Sequence, residues 1–139
     1  MENREERLRR IEKESGIDRC VECGRCTAVC PMPEMYVNFS LAMSPRGMIK
    51  KALTGERLAA DRNLWYCTEC NAGSDVCPQH VSCRDLVRGM RRLALDEGKP
   101  EGMSLCPCCG EPFLAVPVED FVLGRLREEP SNVKEWLKL

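Results

Sequence analysis

Residues 20–31 read Cys-Val-Glu-Cys-Gly-Arg-Cys-Thr-Ala-Val-Cys-Pro, an unbroken C-x2-C-x2-C-x3-C-P run through Cys20, Cys23, Cys26, Cys30 and Pro31. Thiolates at x2 spacing sit on one tight turn, so three sulfurs face one cubane while the peptide N–H groups of the turn point at the cluster sulfides. The fourth cysteine, stiffened by the proline after it, is aimed at a neighbouring cluster. The run is an iron–sulfur signature, and a disulfide staple needs no such regularity. Cys67, Cys70 and Cys77-Pro78 follow 36 residues later in the same frame, except that Gly73 stands where the third cysteine would be.

Working outward, 139 residues leave room for one compact domain plus an appendage. A net charge of -1 removes any electrostatic case for wrapping nucleic acid. Eleven cysteines are an odd count for a disulfide scaffold, and the chain opens on the charged stretch Met-Glu-Asn-Arg-Glu-Glu-Arg rather than on an apolar signal. No apolar stretch approaches the roughly 20 residues that span a bilayer. The expectation is a soluble cytoplasmic protein with no membrane insertion, its small core helped by inorganic staples.

Helical signals dominate the rest. Residues 3–15 mix five basic with four acidic side chains at i, i+3 and i+4 spacings, with Leu8 and Ile11 as a thin apolar stripe and Gly16 as a stop. Ser44-Pro45 predicts an N-cap and first helical residue; Met48, Ile49, Ala52 and Leu53 form the expected buried face and Gly55 the end. Ser82 caps a closing helix with Asp85 three residues on, and Cys83, Leu86, Val87, Met90, Leu93 and Ala94 make one apolar face before Gly98. The basic side chains Arg84, Arg88, Arg91, Arg92 and Lys99 crowd that helix, as a solvated face or a docking patch for an acidic partner. Period-two alternation is confined to Phe113–Val118. Glu119–Glu129 and Ser131–Leu139 read as short helices around Pro130, whose apolar residues, Phe121, Val122, Leu126, Val133, Trp136 and Leu137, either fold back or dock a partner.

A C-x2-C-x2-C-x3-C-P run, a helical spacer, the aromatics of Leu64-Trp65-Tyr66-Cys67 before a second run, and a closing helix after Cys77-Pro78 resemble the alpha-helical ferredoxin domain. Within that group the chain is most similar to the C-type component of heterodisulfide reductase. The resemblance covers about residues 5–97. It implies a mainly α fold with clusters between helices over 1–98, and a cysteine-containing extension over 99–139 with short docking helices. Iron–sulfur subunits of succinate dehydrogenase, fumarate reductase and glycolate oxidase carry similar domains, and are the alternative assignment.

What the resemblance implies for ligands follows the crossed rule: Cys20, Cys23, Cys26 and Cys77 for cluster one, and Cys67, Cys70 and Cys30 for cluster two, with Gly73 unable to supply the last. The expected cofactors are one 4Fe-4S cluster and a second 4Fe-4S or 3Fe-4S cluster. Candidates to replace the missing ligand are Asp75, Ser74, His80, water or Cys83; as a buried free cysteine, Cys83 equally serves core packing. Cys106-Pro107-Cys108-Cys109-Gly110 has the turn of a zinc knuckle, with Cys106 and Cys109 as outer thiolates and Cys108 as a third ligand if the turn distorts. A fourth would come from Cys83, His80, Glu111 or a partner chain.

The implied function is electron relay between a flavin and iron–sulfur A-type subunit and a B-type subunit acting on a disulfide or thiol. Catalytic residues are not expected: phosphate loops, Ser-His-Asp and Cys-His pairs in nucleophilic spacing are all missing from the sequence. A zinc-binding structural or regulatory module is the rival, though four cysteines so closely spaced suit a cubane better than zinc fingers.

Overall fold

The computed structural model describes residues 1–128. Its first helix, α1 (Arg4–Ser15), begins at Asn3, whose side chain accepts from the Glu6 amide while the Glu6 carboxylate accepts from the Asn3 amide, satisfying two otherwise orphaned donors. It ends at Gly16, where φ is 71°, as the stop signal required. The first cysteine run then forms a turn leading into the short helix α2 (Arg25–Ala28), followed by α3 (Met32–Met35). Helix α4 (Pro45–Leu53) starts where Ser44 Oγ accepts from the Gly47 amide at 3.0 Å, with proline in the first turn. The second run leads in the same way into α5 (Ala72–Val76), and α6 (Cys83–Asp96) closes the cysteine-rich part.

The core lies between α1, α4 and α6. Ile11, Met48, Ile49 and Ala52 pack against Leu86, Val87, Met90 and Leu93, with Ile17 and Leu64 completing the layer. Full burial of each large side chain contributes about 1.5–3 kcal/mol, so this layer fixes where the two cysteine turns emerge. The stripe expected on α6 is buried throughout, whereas Leu53, the last residue of α4, is half-exposed. Helix α1 lies on α6 through Ile11 and is tied at its ends: Arg7 reaches Asp96 at 2.7 Å, and the Ser82 amide donates to the Ser15 carbonyl at 2.9 Å. A smaller cluster joins Met32, Tyr36 and Met43 beside Tyr66 and Phe121.

The region after α6 differs from the sequence expectation. Met103–Leu105 (β1) pairs antiparallel with Pro112–Ala115 (β2), so only the start of the alternating stretch is a strand, and β1 gave no periodic signal in its three residues. Helix α7 (Val116–Glu128) begins three residues before Glu119, with Pro117 in its first turn, where a missing N–H costs nothing. Phe121 folds back on Tyr36, ring centroids 6.2 Å apart, whereas Val122, Leu123 and Leu126 remain exposed. The helix expected over Ser131–Leu139, with Val133, Trp136 and Leu137, lies outside the described residues. None of the described helices is long and apolar enough to cross a membrane.

Gly89 lets α1 approach α6: a Cβ there would stand 2.7 Å from Ile11 Cγ2. Alanine gains up to about 1 kcal/mol in helix propensity, but forcing an extra methyl into this contact costs about 1–3 kcal/mol. Gly89→Ala is therefore expected to lower stability by about 1 kcal/mol, read as a fall in Tm; a rise would show that Ile11 gives way freely.

Candidate iron–sulfur centre

The two cysteine turns are copies in backbone as well as in spacing. Glu22 and Glu69 occupy the same slot, between the first and second cysteines, and both have φ of 55°. Each turn then places a second left-handed residue, Gly24 (φ 78°) or Asn71 (φ 67°), just before its short helix. Two left-handed residues flanking the second cysteine curl the chain into a tight turn. Non-glycine residues pay for this conformation, by about 1–3 kcal/mol where the surroundings must enforce it. The Glu69 amide lies 3.4 Å from Cys67 Sγ and the Val81 amide 3.3 Å from Cys77 Sγ, donors aimed at sulfur.

Side chains from the turns and the main core enclose two neighbouring cavities of similar size, about 460 and 430 Å3 of empty space counting what opens to solvent. Cys20, Cys23, Cys26 and Cys77 all line one of them. Cys30, Cys67 and Cys70 line the other, where Cys26 also reaches. The cysteine before each Pro thus lies with the opposite turn's thiols. Cys26, Gly73 and Cys83 line both cavities and form the wall between them. Cys23 and Cys70 are exposed, one at the edge of each cavity.

The third position of the second run is crowded. Helices α2 and α5 pack against each other there, and a Cβ on Gly73 would stand 3.0 Å from Cys26 Cβ. Of the replacement ligands named from sequence, Cys83 and Ser74 line the second cavity. Asp75 and His80 line neither cavity and are exposed. His80 is held in a turn with φ of 54°, its carbonyl accepting from Arg19 at 3.1 Å.

Arg91 is the residue whose role the sequence conceals. By type it belongs with the surface cations of α6, but it is 7% exposed. Its guanidinium donates to the Leu64 carbonyl at 2.8 and 3.1 Å, the Cys67 carbonyl at 2.7 Å and the Glu69 carboxylate at 2.9 Å. It also lies 5.6 Å from the ring centre of Trp65. The second turn is therefore clamped from beneath by a fork of donors, whereas Glu22 of the first has only the looser partners Lys50 at 3.5 Å and Arg46 at 3.9 Å. A cation at the buried slot between Val87 and Ala94 was the available clue. Arg88 pairs with Glu69 at 3.0 Å, and only Arg92 and Lys99 of the group are exposed without contact to this turn.

Burial pushes the Cys26, Cys30 and Cys67 thiols up. Cys83, buried at the shared wall, rises further for the same reason. Tyr36 is pushed up to about 12, again by burial, and its neutral hydroxyl donates to the Tyr66 carbonyl at 3.0 Å. An anionic iron–sulfur group suits this lining. Arg84 lines the second cavity, and its Nε is buried without a hydrogen-bond partner, the Asp85 carboxylate 3.5 Å away making none. A donor so placed is costly beside apolar surface and satisfied beside an anion.

The C-terminal knuckle is formed but solitary. Gly110, with φ of 74°, donates to the Cys106 carbonyl at 2.8 Å, and the Cys106 amide donates to the Glu111 carbonyl at 2.8 Å. Backbone N–H groups of Cys109 and Cys108 lower the pKa of the Cys106 thiol. Cys108 and Cys109 are exposed. Cys83 is buried at the cluster cavities and so is not available to the knuckle. Among the described residues no three His, Cys, Asp or Glu side chains converge as one metal ion requires.

The helices, paired turns and cavities define an iron–sulfur protein, and the relatives agree. Residues 15–81 match the 4Fe-4S dicluster domain family. The chain is 33% identical over 90 residues to the C-type component of a ferredoxin:CoB-CoM heterodisulfide reductase from Methanosarcina acetivorans, covering 64% of this chain and 34% of that protein. It is 30% identical over 120 residues to the C-type component of the ferredoxin/F(420)H(2)-dependent CoB-CoM heterodisulfide reductase of the same organism, covering 83% and 71%. A fumarate reductase iron–sulfur subunit of Haemophilus influenzae matches at 31% over 80 residues, 51% of this chain and 31% of that one. The chain thus spans about a third of the first relative's length, and it belongs to the family of heterodisulfide reductase C-type components.

Removing the Arg91 clamp leaves carbonyls and a carboxylate without their cation, so Arg91→Ala is expected to cost about 3 kcal/mol. Arg91→Lys should recover little of it, because an ammonium cannot span three acceptors as a fork. Arg92→Ala should stay within about 0.5 kcal/mol. Denaturant unfolding of the three variants checks this; equal losses at positions 91 and 92 would refute the clamp.

Proposed function

We propose that the chain is a non-catalytic electron relay within a multi-subunit oxidoreductase, with Cys20, Cys23, Cys26 and Cys77 holding one 4Fe-4S cluster and Cys30, Cys67 and Cys70 a second cluster. The observation that carries the reading is the pair of adjoining cavities with a common wall and one exposed cysteine each. Clusters bound there supply one-electron transfer. The residues supply the rest: Cys26, Gly73 and Cys83 separate two sites by a single layer, and the core excludes water behind them. Cys23 and Cys70 bring each site to the surface, where a donor and an acceptor dock.

The names of the relatives, each one lettered part of a heterodisulfide reductase, support a multi-subunit setting. In keeping with the family resemblance, the chain relays electrons between an A-like flavin and iron–sulfur subunit and a B-like subunit that acts on a disulfide or thiol, in a cytoplasmic complex. The exposed apolar residues of α7 and the flanks of the knuckle, Leu105 and Phe113, offer docking surface. The knuckle itself reads as half a zinc site, Cys106 and Cys109 with Cys108 beside them, whose remaining ligands come from a partner chain.

Crossed ligation makes a specific prediction for anaerobically reconstituted protein. By electron paramagnetic resonance after reduction, Cys77→Ser should alter the signal that Cys20→Ser alters, and Cys30→Ser the one that Cys67→Ser alters. Wild type should carry about seven or eight irons, as one four-iron cluster and a second three- or four-iron cluster require. If Cys30→Ser and Cys20→Ser act on one and the same signal, the crossed assignment is wrong. Zinc should appear in stoichiometric amount only when the partner chain is present.

A further inference from the structure

We propose that Cys83 supplies the fourth thiolate of the second cluster, making that cluster a complete four-iron cubane although its sequence run lacks the third cysteine. This rests on the two-cluster reading above and goes beyond it, because Cys83 lies outside both runs.

The two cavities differ in the thiols that the runs give them. The one lined by Cys20, Cys23, Cys26 and Cys77 has a full set, whereas the other has Cys30, Cys67 and Cys70 beside Cys26, which already belongs to the first set. Gly73 offers no side chain, and the approach of α5 to Cys26 leaves a Cβ there only 3.0 Å from Cys26 Cβ. The missing ligand must therefore enter from another direction. Cys83 does so as the first residue of α6, 7% exposed, in the wall shared with the first cavity and beside Met48, Cys67 and Ser74 of the second. Its thiol has no strong partner of its own, only a weak S–H donation to the Pro45 carbonyl at 3.8 Å. Ser82 caps the helix from the preceding position, its Oγ accepting from the Asp85 amide at 3.1 Å, so Cys83 is fixed on the first turn.

The rivals are weaker on chemistry or on place. Ser74 lines the cavity, but its hydroxyl lies 3.4 Å from Ser82 Oγ, and iron in a sulfide cluster favours the softer thiolate. Asp75 and His80 line neither cavity. On binding, the Cys83 S–H proton leaves to solvent and a sulfur–iron bond forms at the corner iron that Gly73 cannot hold, with no change in oxidation state.

The test is iron analysis with electron paramagnetic resonance on the full chain, anaerobically reconstituted, comparing wild type with Cys83→Ala and Cys83→Ser. Wild type should hold about eight irons, two four-iron clusters, with no three-iron signal in the oxidised state. Cys83→Ala should drop to about seven and gain an oxidised three-iron signal, while the signal of cluster one persists and shows that the domain has folded. Cys83→Ser, nearly isosteric, should keep the fold and change the line shape of cluster two alone. A three-iron signal already in wild type overturns the proposal, as does a Cys83→Ala or Cys83→Ser protein with an undiminished iron content and unchanged spectra; either leaves two clusters standing. An iron content of a single cluster in wild type would remove the two-cluster reading itself, and the proposal with it.

Discussion

The contact between Cys26 on α2 and Gly73 on α5 governs the rest of the arrangement. Two short helices can be brought together this closely only if one of them carries no side chain at the crossing, and the 3.0 Å that a Cβ at position 73 would leave shows how little space remains. Because the helices meet there, the two turns stand back to back, each fourth cysteine reaches across to the opposite cavity, and the wall between the cavities is one residue thick. The glycine that breaks the second run is thus also the residue that leaves room for the close apposition of the two sites.

Much of this is readable from residue order. Both cysteine runs, the Gly16 stop of α1, the Ser44 and Ser82 caps that open α4 and α6, and the apolar face of α6 follow from spacing and capping chemistry, and each stands where those rules place it. What escapes does so for physical reasons. Arg91 belongs by type with surface cations, and only its acceptors, brought from residues 64, 67 and 69 by the fold, allow it to be buried. Strand β1 is too short for a periodic pattern, and its pairing with β2 is non-local. The repeated Glu22 and Glu69 are visible, but their left-handed backbone is not, since glutamate has no preference for it.

The thiols are also instructive about assembly. Burial disfavours the thiolate at Cys26, Cys30 and Cys67, so without iron these groups keep their protons. Cluster insertion must expel those protons, and in return it adds iron–sulfur bonds far stronger than any contact in so small a core. Cofactor loading and completion of the fold are in this sense one equilibrium.

Trp65 draws the extension into that equilibrium. One side of its indole meets the Arg91 guanidinium, and a Cβ on Gly102 would fall only 2.0 Å from the ring, so the chain entering β1 is pressed against it. A force applied to the knuckle hairpin travels through Gly102 to the indole, from the indole to the arginine, and from the arginine to the carbonyls of Leu64 and Cys67. The appendage is thus a lever whose fulcrum is an aromatic ring, and its short arm ends on the backbone of a cluster turn.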